Sequence, residues 1–371
     1  MVTKNYRTVT VIEATAILIS TIIGVGVLAL PRLAAKADNS GAPLITVLGI
    51  LVAFWGLSFI TVLGMRFPNE SIIEYGERIL GKWLARIGSG LIIVFFIVLT
   101  GLGAREFSKV LVTSVLTNTP ITVVTVVMIV LAALASRANM STFAYSHLFY
   151  LPFVYFPGLV IDILSTKNGS LLNLQPIIGN EPQFMPIVSG SLTVAGLFQG
   201  AFVMSFVIPA MRRPEKAMTA SAWGLPVAGL LYLLLVIATV AVFGPQATKL
   251  FVWPTLELAK TTMLPGEVLE RLDAPFLILW VTAVFTTLYS TYSIIVRALK
   301  ELFHLRDHRM FAPFILPFVF FAAMLPPNVI QLYRVIDFVS RTGLWITFVY
   351  PMLLLCVALI RKQKDGNRVA S

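Results

Sequence analysis

Apolar residues run in long blocks along this chain, and polar ones gather in short clusters between them. Between charged or Pro/Gly-rich breaks there are ten such blocks, at about 10–35, 42–65, 88–113, 120–136, 143–164, 187–209, 218–243, 274–298, 311–326 and 338–360. Most approach the roughly 20 residues that a helix needs to cross a bilayer; the fourth and ninth are short. The stretch NESIIEYGERILGKWLAR (69–86) differs, because its charges and apolar residues alternate at helical spacing. That pattern predicts a helix lying on the membrane surface. The expectation is an all-α integral membrane protein with one transmembrane domain over 1–371. It would comprise five helices over 10–164, five over 187–360, and a tail at 361–371.

Composition sharpens this picture. The 371 residues are 58% hydrophobic and 12% charged, with mean hydropathy +0.89. A soluble domain cannot hide so much apolar surface. The net charge of +11 would suggest nucleic acid in a soluble protein, but here it follows topology. With the N-terminus inside, eighteen of the 28 Lys and Arg fall on the inner side and eight on the outer, while Arg105 and Lys109 lie within the third span. This excess predicts cytoplasmic N- and C-termini and contacts with anionic lipids, without nucleic acid. The single Cys356 precludes an internal disulfide. The first block carries Glu13 near its start and no small-residue cleavage site before Pro31, so it reads as a span and not as a cleaved leader.

Five is odd, so equivalent helices in two sets of five cross the membrane in opposite senses. That is the arithmetic of an inverted repeat, in which the first helix of each half is discontinuous. The first block contains IIGVGVLALP (22–31), with Gly24 and Gly26 close together; the sixth contains Gly196, Gln199 and Gly200. Glycine costs roughly 1 kcal/mol against alanine in a helix interior, so both places invite the backbone to open. Freed backbone groups in a bilayer must face a cavity or protein. Half-helix N-termini favour an anionic group, so a zwitterionic amino acid is the natural guest. Its carboxylate would meet amides near Gly24 and Gly26, and its ammonium the released carbonyls. Ile23, Gly24, Val25, Gly26, Phe198, Gln199 and Gly200 are therefore expected ligand-lining residues. Close helix packing is the alternative reading of the glycines.

Ten spans with IGVGVLALP in the first and a glycine-interrupted sixth resemble the amino acid–polyamine–organocation superfamily. Finer pieces resemble the B subunits of GerA-type spore germinant receptors. These are Arg105-Glu106-Phe107 followed by Thr119-Pro120, Pro209 before a basic connector, Trp253-Pro254-Thr255-Leu256-Glu257, and Glu270-Arg271-Leu272-Asp273 leading into LILW. The resemblance spans the whole chain and implies a LeuT-like five-plus-five fold with discontinuous helices 1 and 6. It also implies A and C partner subunits and residence in the spore inner membrane. Thr100, Gly101, Tyr289 and Ser290 would face the breaks if the third and eighth spans pack centrally as in the superfamily. Thr286, Thr287, Ser290 and Thr291 stand where its sodium-binding members supply ligands, although such hydroxyls often bond to their own backbone. One departure is that Ala201 and Phe202 follow Gly200, where many members place a carboxylate.

Coupling chemistry is otherwise sparse. Glu13 lies near the inner interface. Arg105, Glu106 and Lys109 are read as a structural ion-pair network, because Glu106 can reach Lys109 at i+3. His147 begins the fifth span as a capping, interfacial or proton-carrying residue. His304 and His308 have metal-like i, i+4 spacing but no third ligand, so no metal is expected. No catalytic constellation, P-loop or cofactor motif is present, and no enzyme is expected. Two functions compete. One is a receptor subunit that binds a small germinant, of which an L-amino acid with a small apolar side chain fits best, and signals to partners. The other is a proton- or sodium-coupled amino acid permease. The outer loop at 244–273, with Trp253, Pro254, Glu257, Glu267 and Arg271, is expected to carry a short surface helix that serves as a partner surface or a lid.

Overall fold

A computed structural model describes residues 7–179, 183–262 and 272–363. The described chain is helical apart from one parallel bridge between Val9 and Met211. In order the helices are α1 (Val11–Ile22), α2 (Leu30–Asp38), α3 (Ala42–Arg66), α4 (Ile72–Leu80), α5 (Lys82–Ser114), α6 (Ile121–Ala135), α7 (Met140–Ser165) and α8 (Phe184–Gly196). There follow α9 (Met204–Val207), α10 (Ala217–Leu250), α11 (Pro254–Thr261), α12 (Asp273–Leu302), α13 (Phe311–Met324), α14 (Val329–Leu344) and α15 (Tyr350–Ile360).

Six helices or helix runs are long and apolar enough to cross a membrane. The count becomes seven if Phe184–Gly196 and Gln199–Ala210, bent by 47°, form one span. Val11–Ile22, Ile121–Ala135 and Phe311–Met324 are shorter apolar helices. Large apolar side chains such as Trp55, Phe149 and Phe321 point outward, as expected where lipid is the solvent. The chain is a multi-pass membrane protein.

Local sequence explains several boundaries. Thr10 caps α1 and Glu13 returns the bond to the Thr10 amide at 2.6 Å, so Glu13 closes a capping box. Ser71 and Glu74 do the same for α4. The stretch expected as one surface helix over 69–86 is split, because Gly81 takes φ 83°, a conformation that side chains other than glycine adopt at a cost. Lys82 then opens the 33-residue α5. Nor does α4 simply float on lipid. Its Ile72, Ile73, Tyr75 and Ile79 are buried, and Tyr75 stacks on Phe67 at 5.4 Å.

Two further boundaries differ from expectation. The last helical run begins at Val329, not 338, and continues through a π-helical turn at Trp345–Val349 into α15. The short helix in the 244–273 loop, α11, is tucked in and not superficial, with Leu256, Leu258 and Ala259 fully buried. Glu267 and Arg271 of that loop, with Glu270, lie outside the described residues, as does the tail beyond 363.

At the centre, α1 packs against α7, α10 and α12 and touches the 3-10 turn Gln199–Val203. The arm before α1 adds a closure. The amides of Thr8 and Val9 both donate to Ala210 O at 3.0 Å, and the Arg212 amide donates to Val9 O at 2.8 Å.

Candidate functional site

The path from α1 to α2 is not continuous helix. Ile23 is extended, Gly24 has φ −163° and ψ −120°, and a 3-10 turn at Val25–Val27 precedes α2. The carbonyls released there are already taken. Thr286 Oγ1 donates to Ser20 O (2.9 Å), Thr287 Oγ1 to Thr21 O (3.0 Å), Tyr232 Oη to Ile22 O (2.7 Å), Trp280 Nε1 to Gly24 O (3.1 Å) and Thr255 Oγ1 to Val27 O (2.8 Å). Side chains from α10, α11 and α12 thus do what water cannot do inside a bilayer. The expectation that these carbonyls await an ammonium is not met.

Gly24 is the point of closest approach in this seam. A Cβ there would stand 2.0 Å from Thr287 Oγ1, so only glycine lets α12 come this near.

The second interruption follows Gly196. The chain turns at Leu197 and Phe198 and resumes as the 3-10 turn Gln199–Val203 before α9. Gln199 is 4% exposed, and its Nε2 donates to Ser340 O at 2.6 Å. Its Oε1 is buried and lacks a hydrogen-bond partner. Such an orphaned acceptor costs roughly 1–3 kcal/mol unless something else meets it.

The two interruptions border one cavity of about 90 Å³. Thr21, Ile22, Val25 and Gly26 line it from the first, Gly196, Leu197, Gln199 and Gly200 from the second, and Thr287 and Thr291 from α12. Leu99, Leu102, Gly103 and Glu106 come from α5, and Ile336, Val339 and Ser340 from α14. Its one carboxylate is Glu106, 5% exposed, whose Oε1 accepts from Tyr333 Oη at 2.7 Å.

Of the expected lining, Val25, Gly26, Gln199 and Gly200 meet at this cavity. Ile23 and Gly24 lie beside it in the α12 seam. Phe198 turns away and packs edge-on against Tyr232 at 5.3 Å. Thr100 donates to its own helix at Phe96 O (2.6 Å), and a Cβ on Gly101 would meet Val319 O of α13 at 2.7 Å. The facing stripe of α5 is Leu99, Leu102, Gly103 and Glu106, an i, i+3, i+4, i+7 face one position out of phase with the expectation. Tyr289 stacks on His147 at 5.3 Å, and Ser290 is drawn to His147 as well.

Arg105, Glu106 and Lys109 do not form a network. Arg105 Nη2 reaches Pro326 O at 3.3 Å while Glu106 is held by Tyr333, and among the described residues no ion pair joins the three. The sequence signal for the role of Glu106 is an ionisable carboxylate inside a membrane span, which by default marks a functional site.

The hydroxyl cluster of α12 acts as a seam. Thr286 and Thr287 are spent on α1 carbonyls, Thr291 Oγ1 donates to Leu288 O (3.3 Å), and Ser290 Oγ lies 2.6 Å from Thr21 Oγ1 and 2.7 Å from His147 Nε2. His147 Nδ1 lies 2.8 Å from Phe143 O. That carbonyl can only accept, so Nδ1 carries the proton and Nε2 accepts from Ser290. A fully buried imidazole occupies the place between α1, α7 and α12, beside the hydroxyls expected to hold sodium. Among the described residues no group of three or more His, Cys, Asp or Glu could hold a metal ion. His304 instead lies 3.7 Å from Glu77, and His308 faces Asp307 and Ala138.

Comparison with known proteins agrees with this architecture. The chain is similar to Bacillus subtilis spore germination protein YndE, with 27% identity covering 96% of this chain and 98% of that one. It is also similar to B. subtilis spore germination protein A2 (24%, 95% of each chain) and to Bacillus cereus GerLB (25%, 95% and 94%). In fold it resembles the Eremococcus coleocola manganese transporter, with a TM-score of 0.71 at 15% identity over 96% of this chain and 81% of that one. The nucleobase-cation-symport-1 transporter Mhp1 gives 0.67 at 13%, over 96% and 79%. These transporters share the fold alone. The family described as spore germination protein matches residues 8–331, and the chain belongs to it.

Proposed function

We propose that this protein is the B subunit of a nutrient germinant receptor. In this reading it binds a small L-amino acid in the cavity between the two interrupted helices and passes the resulting change to A and C subunits in the spore inner membrane. The observation that carries the reading is the buried, unpartnered Gln199 Oε1 beside Glu106 in one small cavity. An ammonium group supplies the donor that Gln199 Oε1 lacks and a positive charge against the Glu106 carboxylate. Apolar neighbours Ile22, Val25 and Leu197 and a volume of about 90 Å³ favour side chains no larger than those of alanine or valine.

The reading includes an architecture of ten crossings in two inverted sets of five, 10–164 and 187–360, with both termini cytoplasmic. The near-equal length of the helix preceding each break, 12 residues in α1 and 13 in α8, supports such a repeat. Spores whose copy carries Glu106→Gln or Gly26→Trp should lose the response to the amino acid while still germinating through other receptors. An undiminished response in both variants would refute the assignment.

A proton-coupled permease is the second reading. It is favoured by the chain from cavity-lining Thr21 through Ser290 to His147, which offers a hydrogen-bonded route away from the cavity. Uptake of labelled alanine into proteoliposomes containing this chain alone separates the two. A permease accumulates substrate along a pH gradient, whereas a receptor subunit binds without accumulation.

A further inference from the structure

A larger cavity, of about 540 Å³, lies between α2, α8 and α14. That volume is in the range of small-molecule sites. Four cationic side chains line it, Arg32 and Lys36 from α2 and Arg334 and Arg341 from α14, against the single carboxylate of Asp337. Asp337 is already occupied, by Arg341 Nε and Thr193 Oγ1, each at 3.2 Å. Arg32, Lys36 and Arg334 form no ion pair among the described residues. Arg32 and Lys36 sit at i, i+4, where like charges repel on a helix, and Arg32 Nε is buried without an acceptor.

We infer that this vestibule binds a small oxyanion, a carboxylate or an inorganic phosphate, in the fork of Arg32 with Lys36 and Arg334 around it. Guanidinium presents planar paired donors that match two oxygens of such a group. Enclosure favours a small ion over a protein surface, because three cations converge on a concavity and not on a flat patch. The vestibule is also joined to the inner cavity through one residue. The Arg32 guanidinium lies over the Tyr333 ring, 5.6 Å from its centroid, and the Tyr333 hydroxyl holds Glu106. An anion that draws Arg32 from the ring acts on the group that positions Glu106. The site does not depend on what the inner cavity binds.

Thermal-shift titration of the purified full chain with sodium succinate and with sodium phosphate, against sodium chloride at matched ionic strength and pH 7, tests this. At least one oxyanion should give a saturable upward shift beyond chloride. Its midpoint should weaken about ten-fold or more in Arg32→Gln and in Arg334→Gln, and a saturable shift should persist in Gly26→Trp, which fills the inner cavity. A response to succinate alone identifies an organic carboxylate as the ligand class, and one to phosphate alone an inorganic oxyanion. Arg334 is exposed, so its variant keeps the test valid if Arg32→Gln folds poorly. No saturable shift with either anion, midpoints in both arginine variants unchanged from the wild type, or loss of the shift in Gly26→Trp would overturn the inference.

Discussion

Tyr333 Oη lies 2.7 Å from Glu106 Oε1 and 2.6 Å from Trp253 Nε1, so one hydroxyl ties the 244–273 loop to the carboxylate of the inner cavity. It accepts from the indole and donates to the carboxylate. Tyr333→Phe leaves both partners unmet and should cost about 1–3 kcal/mol of stability. Trp253→Phe should cost less, near 1 kcal/mol. Because the two share the hydroxyl, the double variant should be less destabilised than the sum of the singles. Thermal or denaturant midpoints of the three proteins measure the coupling, and strict additivity would show that the chain carries no shared energy.

The seam between α1 and α12 gives a steric prediction. Gly24→Ala places a methyl 2.0 Å from Thr287 Oγ1 and 2.8 Å from Thr287 Cβ. Over-packing of this kind costs about 1–3 kcal/mol. Adding Thr287→Ala removes the nearer clash and should recover part of the loss, visible as a rise in Tm over the single variant. A Gly24→Ala protein as stable as the wild type would contradict the close approach.

Cation dependence follows from His147. Its Nε2 accepts from Ser290 at 2.7 Å, and the Thr286 and Thr287 hydroxyls are committed to α1 carbonyls. Replacing Na+ by K+ or choline at constant ionic strength should therefore leave both Tm and ligand midpoint unchanged. Ser290→Ala should lower stability by about 1–3 kcal/mol in every cation. Tightening of the ligand by Na+ beyond about three-fold would place an ion in the seam.

Much of this was legible in the sequence, and the failures have physical causes. Apolar runs mark where membrane helices lie because bilayer thickness fixes length and composition together. The two openings were visible as glycines in otherwise uninterrupted runs. Helical phase was not visible. Leu99, Leu102, Gly103 and Glu106 face the cavity in place of the expected Thr100 and Gly101, and a shift of one residue rotates a helix face by about 100°. Tyr289 and Ser290 failed because buried His147, far away in sequence, pulls them toward α7. Local spacing pairs Glu106 with Lys109, whereas its partner Tyr333 is 227 residues distant. Local rules see i+3 neighbours and miss tertiary ones.

The connector between α12 and α13 supplies a pH prediction. Burial, followed by the positive charge of Arg297, pushes the His308 imidazole down to about 4 from its ordinary 6.5. Above pH 6.5 the ring is neutral in both folded and unfolded chains and contributes no pH dependence. As pH falls through 6.5 the unfolded chain takes up a proton that the folded one refuses, so stability declines until about pH 4. By pH 5 the loss should be about 1–2 kcal/mol, allowing for partial exposure. His308→Asn should flatten that part of the Tm-versus-pH curve, and an unchanged slope would assign the effect to other groups.

The most direct measurement is a thermal-shift titration of the purified chain against the common L-amino acids, with Gly26→Trp and Gln199→Ala in parallel. A ligand stabilises by RT ln(1 + [L]/Kd), so concentrations a hundred-fold above Kd give about 2.7 kcal/mol. The account predicts a selective, saturable shift with a small apolar amino acid, abolished by Gly26→Trp and weakened about ten-fold or more by Gln199→Ala. A shift of equal midpoint in both variants would contradict it, because the ligand would then bind away from the interrupted helices.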